Sequence, residues 1–168
     1  MAAAVRVILT RGLPGSGKTT WATRVLAESP GRYKRVNKDE LRLMLDRGRW
    51  SEANERFVEA VRDQIILAAV AAGKHVIVDD TNLDPRHETH IRRLVEGRAQ
   101  VVIEEFDVPL EECLRRDAAR ADPVGERVIR QMYREFLAPP AATPPAGAGP
   151  VRAGSPAPPP QPPPEPER

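Results

Sequence analysis

Eight consecutive residues, Gly12-Leu-Pro-Gly-Ser-Gly-Lys-Thr19, satisfy the pattern G-x-x-x-x-G-K-[ST] in full. Gly12, Gly15 and Gly17 let backbone N–H groups turn inward around phosphate oxygens, where a Cβ would obstruct them. Pro14 and Ser16 belong to the same loop. Lys18 supplies the charge that reaches the β- and γ-phosphates, and the Thr19 hydroxyl is a ligand for Mg²⁺. Thr20 follows and is counted with the nucleotide-binding set, although a packed or capping residue fits its place as well. A helix opening at Lys18 would direct its positive end at the same anion. The chemistry expected of these residues is binding of ATP with magnesium.

Moving a phosphoryl group to a hydroxyl needs a carboxylate beside the acceptor and cations around the group in transit. Asp39 and Arg42 are three apart, so on a helix they share one face. Such a pair can hold a hydroxyl and an anionic group of one acceptor; by spacing alone, a surface ion pair fits as well. Asp79-Asp80 ends an apolar run, with Thr81 and Asn82 beyond. One of the two carboxylates is expected to meet magnesium through water or to orient the nucleophile. Arg116 and Arg120 are four apart, with Arg115 beside them, ahead of the turn Ala121-Asp-Pro-Val-Gly125. This reads as an arginine lid, its guanidinium forks matching phosphate oxygens; a solvated charged helix is the plainer reading. Arg130 and Arg134 repeat the spacing more weakly. The three histidines, His75, His87 and His90, lack metal-ligand spacing, and Cys113 reads as core. Trp21 and Trp50 either pack or shape an acceptor cleft.

These residues need a scaffold. Val5–Thr10 is a short apolar run closed by Gly12 and Pro14, the pattern of a buried strand in a parallel sheet. A helix is expected from Lys18 to about Ala27, a short strand at Tyr33–Asn37 and a short helix at Asp39–Asp46. Ser51 caps a long helix to Ala72 with Phe57, Val61, Ile65 and Ala68 at helical spacing. A strand at His75–Asp79, a helix from Pro85 to Gly97, and a strand at Gln100–Phe106 follow. Helices from Leu110 to about Arg120 and from Gly125 to Leu137 complete the series, the last with Val128, Met132 and Phe136 on one face. Strands alternating with helices imply an α/β fold with three layers and a central parallel sheet of about four strands. Ligands of such sheets sit at the carboxyl ends of the strands, where all the candidate residues fall.

The chain has 168 residues, a formal charge of +2 and one cysteine. The charge neither demands nor excludes nucleic acid, and a single cysteine fits a reducing, cytoplasmic setting. No stretch reads as membrane-spanning. From Pro139 onward 13 of 30 residues are proline, with hardly a branched aliphatic among the rest. That composition cannot offset its ordering entropy, so 1–138 is expected to be the kinase domain and 139–168 a disordered proline-rich tail. No guanine-specificity motif N-K-x-D is present.

The segments GLPGSGKTTWA (12–22), SPGRYKRVNKDELR (29–42), VIVDDTNLDPR (76–86), and FDVPLEECLRRDAAR (106–120) followed by PVGERVIRQMY (123–133) together resemble the kinase domain of bacteriophage-type 5′-polynucleotide kinases. The resemblance covers essentially all of 5–137. It implies a P-loop kinase fold with an arginine lid helix, and ATP-dependent phosphorylation of a 5′-hydroxyl end of DNA or RNA. It implies Asp39 as general base, Arg42 as the contact to the acceptor's own phosphate, and Asp80, supported by Asn82, as the carboxylate beside the reacting groups. Lys18 keeps its phosphate role, Thr19 and Asp80 the metal, and Arg116 and Arg120 the lid. No Asp-x-Asp-x-Thr phosphatase motif is present, so no 3′-phosphatase activity is expected. Lys34, Arg35, Lys38, Arg42, Arg47 and Arg49 form a modest basic cluster near the acceptor side. A kinase for a small metabolite on the same scaffold is an alternative, as is a non-catalytic NTP-dependent nucleic-acid-binding module.

Overall fold

A computed structural model describes residues 4–139. In chain order the elements are β1 (Arg6–Arg11), α1 (Lys18–Glu28), β2 (Tyr33–Val36), α2 (Lys38–Asp46), α3 (Glu52–Ala71), β3 (His75–Val78), α4 (Pro85–Leu94), β4 (Gln100–Glu105), α5 (Leu110–Ala118) and α6 (Glu126–Phe136). The four strands form one parallel sheet in the order β2-β3-β1-β4. The expected tail lies outside the described residues, apart from Pro139. No described helix is long and apolar enough to cross a membrane.

Strand alternation divides the core. Val7 and Leu9 of β1 and Val76 and Val78 of β3 point to one face, where Leu41, Val58, Ile66 and Ile91 cover them. Ile8 and Ile77 point to the other, against Ala22, Trp21 and Val25 of α1. Both faces of the inner strands are buried, as a sheet with parallel crossovers requires. Each fully buried Val or Leu contributes about 1.5–3 kcal/mol relative to exposure. A separate cluster of Leu13, Leu83, Cys113 and Ile129 joins the phosphate loop to α5 and α6.

Three expectations are corrected. The buried stripe of α3 is Val58, Arg62, Ile66 and Ala69, one position on from that expected, and Phe57 stands 57% exposed. The two stripes are neighbours around a broad apolar arc: Val61 and Ile65 of the expected stripe are half-buried against the same core, while Phe57 and Ala68 are exposed. In α6 the fully buried residue is Ile129, with Met132 and Phe136 packed beside it. Helix α5 ends at Ala118, so Arg120 lies past its end and not on the same helical face as Arg116. Smaller differences are confined to element ends: α4 stops at Leu94, short of Gly97.

His75 opens β3 and is buried; its Nδ1 accepts from the Arg6 N–H at 2.9 Å. Burial, with Arg6 and Arg32 nearby, lowers its pKa from 6.5. His87 is lowered too, by burial and then by Lys38. A folded pKa below the unfolded one means that the unfolded chain binds more protons, so stability is full above about pH 6.5 and falls as the pH drops below it. The unfolding temperature should therefore decline between pH 7.5 and 5.5. In His75→Asn, whose Oδ1 can accept the same N–H, part of that slope should vanish.

Candidate active site

Hydrogen bonds between the carboxyl ends of β1 and β3 build the site. Thr10 Oγ1 donates to the carbonyls of Val78 and Asp80 at 3.3 and 3.0 Å. Asn82, in a left-handed turn, donates from Nδ2 to the carbonyls of Thr10, Val78 and Asp80 at 2.8, 3.1 and 3.2 Å. The Gly12 N–H donates to the Thr81 carbonyl at 3.1 Å. The phosphate loop and the Asp79-Asp80 corner are thereby locked side by side. Asn82 is buried with its amide spent on carbonyls, so it braces the site and does not face the cleft.

Between Gly12 and Thr19 the chain passes so close to the segments at Phe106 and Cys113 that Gly12 and Gly15 leave no room for a side chain. A Cβ on Gly15, at φ +79°, would lie 2.5 Å from the Cys113 carbonyl oxygen. Gly17, at φ +97°, is the N-cap of α1 and turns the chain into the helix. Lys18 is buried; its Nζ donates to the carbonyls of Gly12 and Leu13 at 2.9 and 2.7 Å. Desolvation lowers its pKa to about 8 against the opposing pull of Asp79, Cys113 and Asp80.

An open cleft of about 590 Å³ brings together Pro14, Gly15, Gly17, Lys18, Thr19, Thr20, Asp39, Asp80, Arg116 and Arg120. Gly12 and Ser16 belong to the loop but do not line it; Ser16 is buried, its Oγ 3.3 Å from Lys18 Nζ. Asp79 is wholly buried; its Oδ2 accepts from Arg35 Nε at 2.7 Å while its Oδ1 has no partner. Asp80 Oδ1 accepts from the Lys38 N–H at 2.9 Å, and its buried Oδ2 has no protein partner. Burial raises the Asp80 pKa, the Lys38 N–H and ammonium only partly offsetting it. An unpaired, partly desolvated carboxylate near a phosphate cradle suits Mg²⁺, which takes one or two carboxylates and otherwise waters and substrate phosphates. No larger cluster of His, Cys, Asp and Glu able to hold a metal occurs among the described residues.

At the start of α2, Asn37 caps the helix by accepting the Glu40 N–H, and Asp39 stands in the first turn, 82% exposed. Arg42 pairs with Asp39 and, through Nε and Nη2, with Glu55 at 2.6 and 3.2 Å. The bond to Glu55, more than that to Asp39, raises the Arg42 pKa. Glu55 is held at a pKa of about 2 chiefly by Arg42, and it also pairs with Lys38 Nζ at 3.0 Å. Sequence reasoning missed Glu55, which lies 13 residues from Arg42 on another helix. The basic cluster is correspondingly smaller: Arg35, Lys38 and Arg42 are all in ion pairs.

The segment from Arg116 to Gly125 has an organiser that sequence reasoning also missed. Asp117 is buried at the end of α5 and accepts from the N–H groups of Val124 and Gly125 at 3.1 and 2.9 Å. It folds the 121–125 turn back and leaves Arg120, about half exposed, on the cleft. Arg116 Nε donates to Glu112 at 2.6 Å, which steadies the guanidinium from behind. Arg115 pairs with Glu112, and Arg130 with Glu111 and Glu126, away from the cleft. Trp21 packs edge-on against Phe106 with ring centroids 5.8 Å apart, so it belongs to the core.

Asp80 gives a testable reversal. A carboxyl whose folded pKa is raised costs stability when ionised, and that cost disappears as the pH falls through its folded pKa. Asp80→Asn keeps an acceptor for the Lys38 N–H and removes the charge. The ligand-free variant should melt at a higher temperature than the parent at pH 7.5, while magnesium-dependent transfer should drop about 10- to 100-fold. A lower melting temperature would mean that the charge is already compensated.

A family model described as an AAA domain matches residues 7–139. L-seryl-tRNA(Sec) kinase of Methanococcus maripaludis is 28% identical over 142 residues, 79% of this chain and 53% of that protein. The chain thus spans about half the length of this curated relative. A chain of the Pnkp1/Rnl/Hen1 RNA repair complex superposes with a TM-score of 0.71 at 23% identity, over 81% of this chain and 45% of that one. The APS kinase CysC of Mycobacterium tuberculosis, in complex with AMPPNP and APS, gives 0.56 at 23%, over 70% and 71%. These two structural likenesses speak to the fold. The architecture is that of a P-loop kinase scaffold, a four-stranded parallel sheet with the phosphate loop after its first strand.

Proposed function

This chain belongs to the AAA domain family, and on that footing we propose that it transfers the γ-phosphoryl group of ATP to the 5′-hydroxyl end of DNA or RNA. The observation that carries the reading is the position of the Asp39–Arg42 pair. Asp39 stands exposed at the rim of a cleft that also holds the phosphate loop, Arg116 and Arg120, and Arg42, paired with it, lies behind the rim and outside the cleft lining. A rim admits the end of a strand; a metabolite site encloses its ligand and buries most of it. The RNA repair complex and the tRNA-directed kinase, both RNA-related by name, support a nucleic-acid acceptor.

In this reading the phosphate loop, Lys18, Arg116 and Arg120 hold the triphosphate and spread charge around the group in transit. Thr19 and Asp80 would hold Mg²⁺, which neutralises phosphate charge when bound. Asp39 accepts the proton of the attacking hydroxyl. Arg42, fixed by Glu55, faces the acceptor's own phosphate, and ADP leaves. Positioned charge supplies most of the rate and Asp39 the proton transfer.

The test is transfer of label from γ-labelled ATP with Mg²⁺ to a panel of acceptors. The panel comprises DNA and RNA oligonucleotides with 5′-hydroxyl ends, nucleoside 3′-monophosphates, seryl-tRNA, free nucleosides and small sugars. Label at the 5′ end of an oligonucleotide is expected. Label only on seryl-tRNA or only on a small alcohol would keep the phosphotransferase and sink the polynucleotide acceptor. Nucleotide binding without transfer to any acceptor would favour a non-catalytic module.

A further inference from the structure

Of the six basic side chains in the cluster around Asp39, three are neutralised, while Lys34, Arg47 and Arg49 are in no ion pair among the described residues. Arg35, Lys38 and Arg42 are each held by carboxylates. Arg47 and Arg49, in the turn between α2 and α3, are exposed and in no ion pair among the described residues. Beside them Trp50 stands 70% exposed. The turn is well tied. The Gly48 N–H donates to the Arg42 carbonyl at 3.0 Å and the Arg49 N–H to the Asp46 carbonyl at 2.9 Å. Asn54 Nδ2 donates to the Arg49 carbonyl at 2.7 Å, and Ser51 caps α3. An indole held outward on a braced turn that also carries two uncompensated guanidiniums offers a flat π-face next to phosphate-binding charge. Nucleobases stack on such faces while arginines take the backbone.

The geometry points to the Arg47–Trp50 turn as a platform for the acceptor strand downstream of its 5′ end, Trp50 stacking on a base and Arg47 and Arg49 gripping phosphates. It rests on the polynucleotide reading above. Helix α2 leads from Asp39 to this turn, and its nine residues span about 14 Å at ~1.5 Å per residue. That is the length of about four stacked nucleotides at ~3.4 Å per step. Acceptors shorter than that reach Asp39 without reaching Trp50.

The experiment compares KM for 5′-hydroxyl oligonucleotides of eight nucleotides with KM for a nucleoside 3′-monophosphate, in the full chain and in Trp50→Ala. The octanucleotide should have the lower KM. Trp50→Ala should erase that advantage, raising the octanucleotide KM about 5- to 100-fold, the range of one aromatic–base stack. Arg47→Ala with Arg49→Ala should flatten the salt dependence of octanucleotide binding. Independently of turnover, an octanucleotide should quench Trp50 emission, leaving that of Trp21. A length advantage that survives Trp50→Ala, or no advantage in the parent, overturns the platform and leaves the polynucleotide reading standing. Failure to label any nucleic acid sinks that reading, and the platform with it. Self-association abolished by Trp50→Ala would assign the turn to a protein contact and also overturn the proposal.

Discussion

Lys18→Ala should lower phosphoryl transfer about 1,000-fold or more, the scale on which a positioned donor to a developing charge acts. The cause lies in where the ammonium sits. It is buried in its own loop, bound to the carbonyls of Gly12 and Leu13, with a pKa drawn down to about 8 by desolvation. Phosphate oxygens reward the charged form, so bound nucleotide should raise that pKa. Binding near pH 8.5 should then be accompanied by proton uptake, and affinity should weaken as the pH rises above 8. Calorimetric titration in two buffers of different ionisation heat measures the uptake. The parent should take up a fraction of a proton at pH 8.5; Lys18→Ala should take up none and bind with a flatter pH profile. Equal uptake in both proteins would remove Lys18 as the titrating group. Transfer reduced less than tenfold would remove it from the phosphate-binding machinery.

The same lysine marks how far the sequence can be read. Its hydrogen-bond partners are its neighbours in the chain, so eight residues and the flanking strand and helix suffice to locate it. Asp39 and Asp80 are nearly as legible, because the ends of parallel strands converge wherever the chain alternates between strand and helix. What sequence hides is pairing across distance. Arg42 looks like a free cation until α3 brings Glu55 against it, and Asp117 looks like one more charge on a polar helix until the 121–125 turn folds onto it. Arg62 shows the same limit from inside the core. It is 3% exposed on the face of α3 that meets the sheet, and its guanidinium is satisfied by Asp63. Apolar periodicity passes over an arginine. An aromatic ring weighs heavily in a hydrophobic pattern, whether or not the sheet lies on that side of the helix.

Asp39→Asn should cut kcat by about 10²- to 10⁴-fold, the range of a positioned general base, with nucleotide affinity close to that of the parent. The substitution is conservative in geometry. An asparagine oxygen can still accept from Arg42, and Glu55 holds that guanidinium from the other side in any case. Asp39 is 82% exposed, so little folding stability depends on it. The variant should therefore melt with the parent and bind nucleotide with it, and differ only in turnover. Loss of kcat with an unchanged melting temperature separates proton transfer from a merely structural ion pair, which would shift both or neither. The pH–rate profile adds a second reading: its acid limb, where a base must first lose its proton, should disappear with the carboxylate. A drop below tenfold, with the acid limb intact, would return Asp39 to the role of a surface partner for Arg42. The proton would then have to leave the acceptor through another cleft carboxylate, and Asp79 and Asp80 each keep an oxygen without a protein partner.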